Sequence, residues 1–451
     1  MRCGRINSPT DSYLQSVIVY ATDITPRLKY ILDFISNEIT VEQLLITDNK
    51  NEFSNAETAK INYSSTRITD NECWIKPHGL LAENNITEQS IGCFEWNDSN
   101  AFFKTEGDFP FDIFAASFYL LSRYEEYLPH EKDMYGRYHH ENSLAYKEGF
   151  LKIPLINYWL HDLVNVLQEK YPALDMQLPV FNFQPTYDID IAYSYKYKGL
   201  TRNTGGFLKA PSFERIKVLA GGAKDPFDCY DWLKDLHEKY RLQAIYFFLL
   251  AEKNGPYDKN ILPQKDAMWK LVRKHANKFT VGLHPSWQSG DDKHLLKKEK
   301  AQLLDMIDGT KMVQADGSIR VVSRQHYIRF NLPEGYQKLI QAGITDDHSM
   351  GYGSINGFRA SVASPFYWYD LEKEANTVLR VHPFCFMDAN SFYEQRQDPG
   401  QTFEELMHYF SVCKQVNGTL ITIWHNHFLG TAPDFRGWKE IYEKFIAQVQ
   451  Q

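Results

Sequence analysis

The chain reads as an α/β protein: a distorted parallel β/α barrel of about seven strands, preceded by a smaller α+β region. Three observations carry this reading. From about residue 178 apolar strand-like runs alternate with amphipathic helices, the rhythm of parallel strands joined by crossover helices. No glycine-rich phosphate loop follows the first of those strands, which favours a barrel over an open doubly wound sheet. Polar side chains suited to catalysis recur just past strand ends, where a barrel carries its active site. The division is 1–170 for the N-terminal unit and 178–451 for the barrel.

In the first unit Val17 to Tyr20 reads as a strand and Arg27 to Ile39 as a helix. The stretch from Asn49 to Asn100, rich in Asn, Thr and Ser, predicts short strands and loops. Phe111 to Tyr127 is an apolar helix with an acidic end, and Pro154 to Gln168 is a second helix. The barrel strands are placed at Pro179–Phe183, Ala244–Leu250, Phe279–Leu283, Ile319–Val322, Val378–Val381 and Thr419–Trp424. Between and after them, helices are predicted at Pro226–Tyr240, Gln264–Lys278, Lys293–Ile307, Pro333–Ala342, Thr402–Val416 and Trp438–Val449. No internal repeat interrupts the series.

Composition narrows the function classes. At 451 residues with a net charge of −8, and with no dense Lys/Arg run, the chain is not built to bind nucleic acid. Its six cysteines (Cys3, Cys73, Cys93, Cys229, Cys385, Cys413) are scattered without a Cys-x-x-Cys pair, the pattern of buried free thiols. The polar N-terminus lacks a signal core, and no apolar run reaches membrane-spanning length. A cytoplasmic protein with no membrane span is expected. Aromatic residues make up 15% of the chain, enough to build sugar-stacking walls as well as core.

The chemistry begins at Pro185-Thr186-Tyr187-Asp188-Ile189-Asp190. On an extended backbone, carboxylates two residues apart share a face, and two such charges call for a cation or an arginine between them. A solvated strand end is the plain alternative. Asp188, Asp190, His284, His326, Arg359, His382 and His425 all fall at or just past strand-like runs. His284, between Gly282 and Pro285, reads as a ligand or a loop-anchoring hydrogen bonder. His326, in Ser-Arg324-Gln-His-Tyr327, reads as a ligand or a structural node. Arg359, in Gly-Phe-Arg, suits either a buried carboxylate or an ordinary ion pair. His425 and His427 fit a His-x-His metal pair, or a general acid with a secondary neighbour. His139, His140 and His348 read as surface or loop histidines; Asp346 and Asp347 read as a turn, with Asp347 within possible reach of the site. Trp287, Tyr352, Phe366, Trp368, Phe384 and Trp424 lie near these positions in sequence, mostly as core, with one or two offering stacking faces.

The set resembles the polysaccharide deacetylase superfamily, the NodB-homology or carbohydrate esterase family 4 group, over roughly residues 178–451. The resemblance implies a distorted β/α barrel using a divalent metal, often zinc, to hydrolyse acetyl groups on glycans. The N-terminal part looks like an extra domain of Bacteroidetes-type members. Residue by residue, Asp188 matches the catalytic base, Asp190 a metal ligand and His284 the first metal-binding histidine. Arg359 matches the arginine that orients the base, and His425, after Trp424, the proton donor to the leaving group. The family's second histidine falls four positions after the first, where this chain has Gln288; His326 is expected to supply that nitrogen. A backbone N–H near Tyr352 or Gly353 is expected to help hold the oxyanion, and Trp287, Tyr352, Trp424 and His427 to line the substrate site.

The expected function is therefore removal of acetyl groups, N-acetyl above all, from an acetylated glycan or amino sugar by a zinc-type hydrolase. Two rivals stay open: another barrel metallohydrolase built on His425-x-His427, and a glycan-binding protein on a decayed barrel, as Gln288 suggests.

Overall fold

The computed structural model describes residues 16–40, 43–174, 176–199, 203, 204, 208, 212–309 and 319–450. Cys3 and the polar N-terminus lie outside them. The first part of the chain builds a four-stranded sheet from β1 (Ser16–Ala21), β2 (Gln43–Thr47), β3 (Ala59–Tyr63) and β4 (Cys73–Ile75), in the order β2-β1-β3-β4. All three pairings are parallel, so this region is α/β and not the α+β arrangement expected. The helices Pro26–Phe34 and Lys50–Asn55 form the crossovers, which parallel strands require. A hairpin of β5 (Phe94–Trp96) and β6 (Ser99–Ala101) follows. The predicted helix Phe111–Tyr127 is real only as Ile113–Leu121: Arg123, at φ 55°, breaks it before a short 3₁₀ turn, Tyr124–Tyr127.

The second sheet has nine strands: β7 (Asn182–Ile189), β8 (Ile245–Leu249), β9 (Thr280–His284), β10 (Val322–Ser323), β11 (Asp346–Asp347), β12 (Phe366–Asp370), β13 (Ala375–Val381), β14 (Phe386–Met387) and β15 (Thr419–His425). Their order is β12-β13-β11-β10-β9-β8-β7-β15-β14, with β12 the antiparallel edge. The eight parallel strands follow the order of a ring cut between β13 and β14. The described residues close no barrel. At the cut, Phe384 N–H donates to Met350 O and Gly357 N–H to Cys385 O, so the loop around 350–357 takes the bonds a neighbouring strand would.

β8 is buried at every position, as expected of a strand covered on both faces. The first strand of this sheet begins later than Pro179 and runs through Asp188. Its outward Tyr187 packs among helices, bonded to Tyr442 and His237. Asp346 and Asp347 are not a turn but the buried β11. Asp347 accepts bonds from Tyr336 and Ser349 and lines no part of the site.

One apolar core runs from Val17 to Val449 through both sheets, joining the two parts of the chain. A small separate cluster, Ile245, Phe247 and Val322, lies on the sheet face that carries Asp188, since Asp188 sits beside Phe247 in parallel register. Buried polar contacts also link the parts: Arg359 Nη2 lies 2.6 Å from Glu126 Oε2, and Asn157 holds Ala363 N–H and Ser364 Oγ. Cys73, Cys229, Cys385 and Cys413 are buried free thiols, and Cys93 is half-buried. Among the described residues no helix is long and apolar enough to cross a membrane.

Candidate metal and acid–base site

The C-terminal ends of β7, β9 and β15, with the turns after β10 and β14, converge on a cavity of about 460 Å³. Asp188 points into it beside His425, its register partner on β15. Period-two alternation puts Asp190 on the same side. A larger hollow, of about 830 Å³, lies elsewhere against Tyr193, Asp228 and Lys274 and contains none of the site residues.

Asp190, His284 and His326 each offer a ligand atom, all within 4.8 Å of one another. His284 Nε2 is 3.1 Å from Asp190 Oδ1, and His326 Nε2 is 3.5 Å from Asp190 Oδ2. The far nitrogens fix both rings. His284 Nδ1 is 2.5 Å from the Arg324 carbonyl, which only accepts, so Nδ1 carries the proton and Nε2 presents its lone pair inward. His326 Nδ1 is 3.0 Å from Oδ1 of the fully buried Asp258, giving the same tautomer. Carboxylate or carbonyl support of a ligating imidazole is the usual outer shell of a metal site.

Asp190 Oδ1 is buried and, among the described residues, has no hydrogen-bond partner. Two inward lone pairs and an orphaned carboxylate oxygen repel one another unless a positive charge sits among them. Where no cation sits there, protons on the imidazoles supply that charge instead. Burial opposes charge on Asp190, yet His326 and His284 hold its pKa well below the ordinary range. Burial likewise opposes charge on His326, but Asp190 and then Asp258 raise it to about 9. The donor set, two imidazoles and one carboxylate, is that of an open divalent-metal site.

Gln288 is exposed in a short 3₁₀ turn, with its amide near Gly255. His326 stands where a second imidazole is needed. The two residues after it, Tyr327 and Ile328, have φ of 59° and 53°, a left-handed conformation costing non-glycine residues roughly 1–3 kcal/mol each.

Arg359 does not reach Asp188. It turns toward the N-terminal part, where Glu126 neutralises it and Gly351 O accepts from Nη1. Arg324 occupies the expected place: Nη1 lies 2.7 Å from Asp188 Oδ1, and its guanidinium rests 4.3 Å over the Phe247 ring. Gly282 makes that stack possible, because a Cβ there would lie 2.6 Å from the Phe247 ring.

His425 Nε2 faces Asp190 Oδ2 at 3.4 Å, while Nδ1 is 2.6 Å from Oδ1 of the buried Asp388. Asp388 Oδ2 also accepts from His425 N–H. Burial opposes protonation of this ring, but Asp388 and Asp190 outweigh it and hold the pKa well above the ordinary range. His427 lines the cavity, its Nδ1 without a partner among the described residues, and burial, with His425 beside it, lowers its pKa to about 3.

The other named positions divide. Trp424 is buried against Tyr442 and Trp438, since neighbours on a strand face opposite ways. Tyr352, Phe366, Trp368 and Phe384 are core as well; Gly353, not Tyr352, reaches the cavity. Trp287 stacks on the cavity-lining Tyr257 at 3.9 Å, backed by Tyr327 and Tyr135. His382 bonds Asp346 away from the site. His348 is not a surface residue: it is 1% exposed and stacked on His382. His139 and His140 are half-buried, with His140 Nδ1 2.9 Å from Ser354 Oγ.

Sequence reasoning missed Arg324 as the partner of Asp188, and also Asp388, Asp258, Tyr135 and Arg137. Arg324 and Asp388 each follow a short strand, the signal that drew attention to the histidines; Asp258 sits in a loop with no such mark.

A family model described as a family of unknown function (DUF7033) matches residues 17–172, a stretch that ends before β7. No curated protein matches the chain. Among solved structures, the crystal structure of a "putative polysaccharide deacetylase from Mycobacterium smegmatis" is similar at 12% identity and a TM-score of 0.38, over 60% of this chain and 84% of that one. A likeness that loose carries nothing for fold or function, which leaves the side chains of the cavity to speak for the chemistry.

Proposed function

We propose that this chain is a metal-dependent hydrolase that removes acetyl groups, N-acetyl above all, from a glycan or amino sugar. The observation that carries the reading is the placing of Asp190, His284 and His326 around one point, with Asp188 and His425 flanking it. A divalent cation such as zinc would supply Lewis acidity there, polarising the acetyl carbonyl and acidifying a water.

The remaining work belongs to the chain. Asp188, aimed by Arg324, takes the proton of the attacking water. His425, kept charged by Asp388, donates a proton to the departing amine nitrogen, a contribution of about 10²–10⁴ in rate. The wall of Tyr257, Trp287 and Tyr327 offers faces on which a sugar ring can stack. Residues 178–451 would form the catalytic unit, 1–170 the N-terminal one, and the setting would be cytoplasmic.

The test is acetate release from N-acetylated oligosaccharides by the zinc-loaded protein, alongside elemental analysis. Asp190→Ala and His284→Ala should lose the metal; Asp188→Asn should keep it and lose turnover. Full zinc occupancy in Asp190→Ala would remove the assignment. Saturable sugar binding without acetate release under any metal would instead favour a glycan-binding protein.

A further inference from the structure

Before the second sheet begins, the N-terminal part sends a small hairpin to the cavity. Lys132 pairs with Tyr138 in an antiparallel bridge, and Gly136, at φ 76°, reverses the chain. Asp133 staples the turn from within. Its Oδ1 accepts from the backbone N–H groups of Tyr135 and Arg137, each at 2.9 Å, and its Oδ2 from Arg137 Nε at 2.6 Å.

The guanidinium of Arg137 is held on further sides. Nη1 donates to Tyr327 O at 2.7 Å, and the Tyr135 ring lies 4.8 Å from its carbon. Across from it stands Gly353, where a Cβ would come within 1.9 Å of Nη1; the missing side chain makes the room. The Arg137 side chain is only 6% exposed, yet it lines the cavity that holds Asp188 and Asp190. Its third nitrogen, Nη2, donates to no partner among the described residues.

An arginine that lines a cavity and is fixed in place through Nε and Nη1 is pre-organised to bind an anionic oxygen. Asp133 balances the guanidinium charge through Nε at 2.6 Å, so what the residue offers is directed N–H donors; Asp188 is taken up by Arg324, and Asp190 sits between His284 and His326. Lys259 and Glu394, both exposed, also line the cavity and offset one another in charge. Tyr135, on the same hairpin, packs 5.4 Å from Tyr327 and extends the aromatic wall.

We propose that Arg137 is a specificity residue and that the substrate is an acidic glycan, carrying a carboxylate or phosphate group close to the acetylated sugar. This rests on the glycan reading above and deepens it: the N-terminal part supplies one wall of the active site.

The test is calorimetric binding to the full-length, zinc-loaded Asp188→Asn protein. Three matched N-acetylated oligosaccharides serve as ligands: one with a carboxylate, its carboxyl-reduced neutral form, and a phosphorylated form. One anionic ligand should bind at least about tenfold tighter than the neutral one, and the preferred anion names the source. Arg137→Gln in the same background should bring the ratio close to one, and Arg137→Lys should retain part of it. Equal binding of neutral and anionic ligands overturns the proposal, as does an unchanged ratio in Arg137→Gln. Acetate release by the unsubstituted enzyme is read separately. Anion preference without release sinks the hydrolase reading alone, whereas release without preference sinks this one alone.

Discussion

Arg324 and Asp188 form a buried pair: their side chains are 0% and 3% exposed, with Nη1 and Oδ1 2.7 Å apart. Removing one partner of such a pair leaves an uncompensated charge, which costs about 3–5 kcal/mol. It also frees the carboxylate to rotate, and a misplacement of about 1 Å can cost on the order of 10²-fold in rate. Arg324→Met is therefore expected to retain zinc, unfold at lower denaturant and lose turnover. Steady-state kinetics paired with elemental analysis checks this; a variant turning over at the parental rate would show that Asp188 needs no orienting partner.

Asp388 is the equivalent partner of His425, gripping both its backbone N–H and its Nδ1. Asp388→Asn removes the charge that supports the imidazolium while keeping an acceptor near the backbone. Turnover should fall by up to the ~10²–10⁴ of a positioned proton donor, with KM and zinc content little altered. A merely structural Asp388 would instead move stability and leave kcat alone.

His326 and Gln288 part company in the same assay. Gln288 is exposed and turned toward Gly255, whereas His326 is 5% exposed and faces Asp190. Gln288→Ala should keep its zinc and its activity, and His326→Ala should lose both. Zinc retained by His326→Ala would leave Asp190 and His284 needing a ligand from elsewhere.

How much of this was legible in the chain follows from the range of each signal. Alternating apolar runs located β8, β9 and β15 to within a residue or two, because burial on both faces writes itself into consecutive residues. The two-residue strands β10, β11 and β14 are too short to show a period, so Asp346 and Asp347 looked like a turn. The carboxylates and histidines were found because they sit at strand ends, a local feature. Their partners were not, since Asp188–Arg324 and His326–Asp258 span 136 and 68 positions. Arg359 shows the cost of reading a motif without its neighbours: Gly-Phe-Arg is present, but its arginine answers a glutamate 233 positions away.

That glutamate, Glu126, yields a prediction of different kind. Burial works against its charge, but Arg359 and then Arg123 outweigh burial and hold its pKa at about 2, below the ordinary 4.5. A depressed carboxyl contributes stability that is complete above its unfolded value and is lost as pH falls through the folded one. The window is thus from about pH 4.5 down to about pH 2, and the linkage is on the order of 3 kcal/mol. Glu126→Gln should be less stable than the parent at pH 7 by a similar amount, since the buried Arg359 loses its carboxylate partner and Arg123 keeps only Glu125. The gap should narrow as both proteins are taken from pH 5 toward pH 2.5, because the parent loses this carboxylate while the variant has none to lose. Urea unfolding at several pH values measures both curves. A gap that stays constant over that range would mean the Glu126 carboxylate is not what stabilises Arg359, and with it the loop at the open seam.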